Sequence, residues 1–217
     1  MYEKQVSKEH YGFSGYLGKH RWASVWHQLD ELMRLSPRST LEIGPGPGVF
    51  KAVAALFGIN VVTLDIDSEL RPDYVGSATA MPFDNGSFEV TACFQMLEHM
   101  QYEDALKALK EVRRVTTRRL ILSLPDARRS VGMGFRLPGF GFKMAMLNIP
   151  EIRLRRHVFD GQHYWEVNKR GYSQKKFVAD VEALGLKLYR SYRVPEVPYH
   201  RFFVFNVSNG DESEKSI

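Results

Sequence analysis

Little in this chain of 217 residues could staple it, anchor it or send it abroad. A single cysteine, Cys93, excludes an intramolecular disulfide and suits a reducing compartment. The longest apolar stretch, Val53 to Leu64, is interrupted by Gly58 and Asn60 and stops at Asp65, too short to cross a bilayer. Met1 to His10 is polar and charged, without the apolar core of a secretory signal. A cytoplasmic chain with no transmembrane segment is expected. There is no internal repeat and no low-complexity tract. The histidines and acids show no tight ligand spacing, so no metal site is predicted.

What is present is an ordinary globular composition, 44% hydrophobic, enough to bury a core unaided. The length suits one domain. It is expected over residues 1–207, with an N-terminal arm and helix at 1–36, an insertion at 127–170 and a disordered polar tail at 208–217. Trp22, Val25, Trp26, Leu29, Leu32 and Met33 recur at helical spacing, and Ser36-Pro37 ends that helix. Thr40–Ile43 and Val61–Leu64 read as strands flanking a glycine loop and a helix at Val49–Phe57, the length of a βαβ unit. Tyr74-Val75, Phe88–Phe94 and Arg119–Leu124 are further strands, with a helix at Glu103–Val115. Ser173 caps a helix to Leu184. Leu186–Val194 and Arg201–Val207 close the chain as two strands, with Pro195 and Pro198 in their turn. The fold class is therefore α/β: a Rossmann-like, doubly wound, mostly parallel sheet of seven strands. Its last two strands lie too close together for a helical crossover and must be antiparallel.

In such a sheet the ligand sits beyond the C-terminal strand ends. Gly44-Pro45-Gly46-Pro47-Gly48 lies there, and its glycines let the backbone approach a ligand closely. Asp65, at the end of the second strand, is placed to accept hydrogen bonds from ribose hydroxyls. A dinucleotide fingerprint would carry Gly or Ala where Val49 stands, and Pro45 and Pro47 remove two backbone donors that a pyrophosphate needs. A NAD-dependent oxidoreductase is thus the runner-up on fold alone.

The segment 38–126 resembles the class I S-adenosylmethionine (SAM) dependent methyltransferases, with a weaker echo at 171–207. Leu41-Glu42-Ile43-Gly44-Pro45-Gly46-Pro47-Gly48 resembles their first motif, and Val62-Thr63-Leu64-Asp65-Ile66-Asp67 their second. Ser77 to Phe88 is similar to the stretch that lines the adenine. Phe94-Gln95-Met96-Leu97-Glu98-His99 is similar to the motif after strand four, and Glu111–Val115 to the approach to strand five. The resemblance implies SAM as cofactor and S-adenosylhomocysteine as product. It implies cofactor contacts at Glu42, Gly44, Gly46, Gly48, Asp65, Ile66, Ser77, Ala78, Thr79, Phe94 and Gln95. Ser77 departs from the acid common at that position; serine accepts a hydrogen bond but carries no charge.

Methyl transfer asks the protein to align a nucleophile with the methyl group, and a general base helps where the acceptor carries a proton. His99 lies just past strand four. His163 and Glu166 lie in the segment that should cap the cofactor, and would share a face if it were helical. These three are the catalytic candidates. Against these roles, helix-surface hydrogen bonding is the favoured reading of His99, and core packing an equal alternative for His163 and Glu166. No Asp/Asn-Pro-Pro-aromatic tetrad follows strand four, which argues against methylation of adenine or glutamine amino nitrogens. Cys93 follows Ala92 rather than proline, which argues against cytosine C5 methylation and for a small buried residue.

The net charge of +5, with a pI near 9.3, is concentrated. Residues 127–160 hold seven basic residues against two acidic, an excess equal to that of the whole chain. Val131, Met133, Phe135, Leu137, Phe140, Phe142, Met144, Met146, Leu147 and Ile149 interleave with Gly and basic residues there. This reads as a lid over a small acceptor with apolar and anionic character, or as peripheral contact with anionic lipid, or as a solvated face. Trp22 and Trp26 would close the other side. RNA methylation is an alternative on the basic insertion, and a non-catalytic SAM-binding module another. Oligomeric state is not legible.

Overall fold

β-Branched and apolar runs supply the strands, and the amphipathic segments between them supply the covering helices. The computed structural model describes residues 8–137, 139, 141–151 and 153–208. Residues 1–7 of the expected arm, Phe140 and the expected tail from 209 onward lie outside the described residues. After a 3-10 turn at Lys8–Tyr11 come α1 (Phe13–Tyr16) and α2 (Lys19–Leu35). Then β1 (Thr40–Ile43), α3 (Val49–Leu56) and β2 (Val61–Asp65) form the first βαβ unit. β3 (Tyr74–Val75), β4 (Phe88–Phe94), α4 (Tyr102–Val115) and β5 (Thr116–Pro125) follow. The insertion folds into a hairpin, β6 (Ser130–Leu137) with β7 (Gly141–Asn148). The chain finishes with α5 (Gln174–Glu182), β8 (Leu186–Val194) and β9 (Val197–Val207).

Seven strands form one sheet in the order β3-β2-β1-β4-β5-β9-β8. β1 to β5 pair in parallel, and β9 runs antiparallel between β5 and β8. Ile43 pairs with Leu64 and with Cys93, and Phe94 pairs with Ser123, so four C-terminal strand ends lie side by side. The strand order reverses between β1 and β4, where a crevice opens. On one face Leu109 and Val112 of α4 and Phe177 and Val181 of α5 cover the sheet; on the other, Leu32 of α2 and Phe50 and Ala54 of α3. Cys93 is buried among the first set as a small apolar residue.

Three local expectations change. β5 starts at Thr116, straight after α4, because its first pair, Phe88 with Thr116, forms across a bulge. The last turn is tighter than expected: Pro195 and Glu196 make it, and Pro198 lies inside β9. On α2 the buried side carries Ser24, Val25, Glu31 and Leu32, which leaves Trp22 and Trp26 facing solvent. Glu31 explains that rotation, since it accepts hydrogen bonds from Arg190 at 2.5 Å and the Tyr192 hydroxyl at 2.7 Å on β8. Among the described residues no helix is long and apolar enough to cross a membrane.

Candidate active site

At the end of β1 the chain turns through Gly44, Gly46 and Gly48, all left-handed, with φ of 71°, 53° and 75°. A Cβ on Gly44 would lie 2.7 Å from Cγ of Met96, so only glycine fits. Asp65 ends β2 half-buried. Burial lifts its carboxyl above the usual range, although the Asp67 N–H donates to Oδ1 at 2.9 Å. Ser77 Oγ lies 2.9 Å from the Thr79 hydroxyl and accepts the Thr79 N–H at 3.2 Å, beside buried Ala78. Glu42, on β1 below the loop, is buried with one carboxylate oxygen unpartnered, and burial pushes it up to about 8.

Across the crevice, Gln95 leaves β4 with φ of +49°, a strained value for a residue with a side chain, and turns the chain into a 3-10 turn at Leu97–His99. The Tyr164 N–H donates to the Glu98 carbonyl at 2.8 Å and docks the end of the insertion on this turn. The His99 and His163 rings come to 5.0 Å as a result. His163 Nδ1 lies 3.3 Å from both Glu166 Oε1 and the Tyr199 hydroxyl, which itself donates to Glu166 Oε1 at 2.6 Å. Since a carboxylate only accepts, His163 presents its Nδ1 proton to Glu166. Burial works against a charged His163, but Glu166, Glu98 and Asp160 outweigh it and raise its pKa. Burial would lift Glu166, yet the hydrogen bonds from His163 and Tyr199 draw it down to about 2. His99 is pushed down to about 4 by burial and by His163, while a bond to the Gln162 backbone opposes the shift. Glu98 is fully buried, neither of its oxygens has a partner, and burial pushes it up to about 8.

One cavity of about 380 Å³ joins these two sides. Of the residues singled out in the sequence, Gly44, Gly46, Asp65, Ile66, Ser77, Ala78, Phe94, Gln95, His99 and His163 line it. Glu42 faces a smaller cavity of about 40 Å³ behind the glycine loop. Gly48 starts α3, Thr79 braces Ser77, and Glu166 stands buried behind His163. His163 and Glu166 meet in an irregular turn rather than along the helix that their spacing suggested.

Sequence reasoning missed Tyr11, Tyr16, Arg21, Glu98, Tyr199 and His200, which also line the cavity. The Tyr11 and Tyr16 rings meet edge to face at 4.9 Å, and the Arg21 guanidinium lies 4.0 Å over Tyr16. These residues close the side that Trp22 and Trp26 were expected to close. Glu98 lies inside the motif Phe94–His99 that follows β4, whereas Tyr199 and His200 come from β9 and carry no local signal. The lid divides likewise. Gln162 and His163 line the cavity, but the β6–β7 hairpin is held elsewhere: Arg193 donates to Asn148 Oδ1 at 3.0 Å and to the Arg128 carbonyl at 2.7 Å.

The profile of the methyltransferase domain family matches residues 41–122, from β1 to the middle of β5. Over that stretch the chain carries a methyltransferase domain. No curated protein matches the sequence. Among solved structures, this chain is similar to the 1,6-didemethyltoxoflavin-N1-methyltransferase of Burkholderia thailandensis, solved with bound 1,6-didemethyltoxoflavin and S-adenosylhomocysteine. Identity is 14%, over 88% of this chain and 78% of that one, with a TM-score of 0.58. It is similar to the magnesium protoporphyrin IX methyltransferase of Synechocystis PCC 6803 with bound S-adenosylhomocysteine, at 15% identity over 87% and 84%, TM-score 0.57. A Pyrococcus horikoshii OT3 protein is 15% identical over 94% of this chain and all of its own, TM-score 0.60. At such identities these structures speak for the shared fold.

Proposed function

We propose that this protein transfers the methyl group of SAM to a small acceptor with apolar and anionic character, leaving S-adenosylhomocysteine. The observation that carries the reading is one cavity with a nucleotide-binding wall and an acid–base wall. The residues present suit the cofactor. The unpartnered Glu42 oxygen beside the glycine loop suits a cationic amino group, Asp65 a ribose diol, and Ala78 a flat base. When bound, SAM supplies an electrophilic methyl on a sulfonium, open to in-line displacement.

The chain's own residues hold and activate the acceptor. Tyr11 and Tyr16 offer it apolar rings, and Arg21 a cation that meets its anionic group. His163, fixed at Nδ1 by Glu166 and Tyr199, and His99 beside it are the groups that act on the acceptor's nucleophile. The volume is within the ~300–1,000 Å³ usual for small-ligand sites.

Calorimetric titration with SAM, S-adenosylhomocysteine, NAD and NADP, followed by acceptor screening on apolar anions, tests this. Binding of the first two alone and turnover of such an acceptor is the expected result. Binding of a nicotinamide cofactor instead overturns it, and steeply salt-dependent RNA binding with RNA methylation would replace the acceptor class. His163→Ala should cut turnover with little change in SAM affinity; full activity would remove His163 from the chemistry.

A further inference from the structure

Glu98 and His99 leave β4 together, and His163 arrives from the far end of the insertion. One Glu98 oxygen and one ring nitrogen of each histidine lie within 4.8 Å of one another at the wall of the cavity. We propose that these three side chains bind a divalent first-row transition-metal ion, open towards the cavity, which holds an anionic or hydroxyl oxygen of the methyl acceptor. This deepens the methyl-transfer reading and rests on it: the ion is how His99 and His163 act on the acceptor.

Three observations carry it. First, Glu98 is fully buried, lines the cavity and has no hydrogen-bond partner at either oxygen, so a cation is what its position lacks. Second, both imidazoles are held by outer partners. His163 points Nδ1 at Glu166 and Tyr199, and His99 bonds the backbone of Gln162. Metal-binding histidines are oriented by such outer partners, a carboxylate or a backbone carbonyl. Third, two imidazoles with one carboxylate suit zinc, manganese or ferrous iron, and three protein ligands leave positions open, as in catalytic sites.

An ammonium or sulfonium group would answer Glu98 alone; it has no empty orbital for two imidazole nitrogens. The other grouping around His163, with Asp160 and Glu166, is less suited. Glu166 already accepts from Tyr199 and pairs with Lys169 at 3.6 Å, and Asp160 is exposed. The spacing rule missed this site because its third ligand reaches it only through the fold.

The test uses the full-length chain, free of any tag and stripped with a chelator. It is titrated with Mn²⁺ and Zn²⁺ by calorimetry and with Co²⁺ by visible absorption, each with and without S-adenosylhomocysteine. One ion per chain should bind, with a Co²⁺ spectrum showing nitrogen ligation. Glu98→Gln and His163→Ala should each weaken binding by at least tenfold, and Glu166→Gln by roughly 10–100-fold through loss of the outer partner, while all three keep S-adenosylhomocysteine affinity. Retained cofactor affinity shows that each variant folds, and if one does not, the other carries the test. Absence of ion binding by the parent chain, or equal binding by Glu98→Gln and His163→Ala, overturns the site. If S-adenosylhomocysteine binds and no ion does, the methyl-transfer reading survives without the metal. If the cofactor fails to bind, that reading falls on its own.

Discussion

Two carboxylates stand just past neighbouring strand ends, both fully buried, and their surroundings could hardly differ more. Asp126 follows β5. It accepts from Arg201 Nε at 2.6 Å, from Asn168 Nδ2 at 3.0 Å and from the Arg128 N–H at 2.9 Å, with Arg193 Nε at 3.6 Å. Glu98 follows β4 and has no side-chain partner. Burial is equal; satisfaction is opposite. A buried charge with a full set of partners ties elements together, here β5, β9 and the segment around Asn168. A buried carboxyl without partners has a cost that the fold alone does not repay, which points to something the site binds.

The comparison breaks first at Asp126. Asp126→Ala leaves two guanidinium groups at this buried hub without their common anion and should cost about 3–5 kcal/mol of stability. Urea denaturation measures it, and a loss below about 1 kcal/mol would remove Asp126 as the hub. Next in size is Asp65→Ala, expected to weaken SAM binding by about 1–3 kcal/mol with the fold intact, the scale of charged hydrogen bonds. Unchanged calorimetric affinity in a folded variant would take Asp65 out of the cofactor site.

Glu98→Leu sharpens the contrast in the opposite direction. Removing an unpartnered buried carboxyl should raise the stability of the ligand-free protein by about 1–2 kcal/mol while abolishing turnover. A destabilised variant would mean that Glu98 is structural after all. The smallest effect concerns His200, buried, with Nδ1 2.8 Å from Ser24 Oγ and held down to about 4 by burial and Arg21. In the unfolded chain it regains its ordinary value of 6.5, so the unfolded state takes up the proton first as pH falls. The stability it contributes is complete above the unfolded value and is lost as pH drops from there towards 4. Near pH ~5.5 the loss is about 1 kcal/mol, and His200→Gln should flatten that slope in pH-dependent denaturation. Parallel slopes for the two proteins would disprove the assignment.

Local pattern reached some of this and could not reach the rest. The glycine loop and Asp65 were legible because a left-handed turn at a strand end and an acid at the next one are local requirements of approach to a ribose. The seven strands were legible because each run is apolar and bounded by its own breakers. The hairpin's strands were not, since Gly132 and Gly134 alternate with apolar residues in a segment whose place is set by Arg193 on β8. Trp22 and Trp26 misled for a similar reason: helical spacing names an apolar stripe, but the bond between Glu31 and Arg190 turns a different face inward.

The amino-acid order by itself therefore determined the α/β sheet, the switch point and the glycine-loop wall of the cavity, since each depends on contacts within a few residues or one repeating period. Tertiary structure alone decided the opposite wall of the cavity. Glu98, His99, His163 and Tyr199 come from a turn after β4, the end of an insertion and a strand running against the rest. Their convergence depends on a backbone bond from Tyr164 to Glu98 and on the antiparallel seating of β9 against β5, neither of which leaves a periodic trace in the chain.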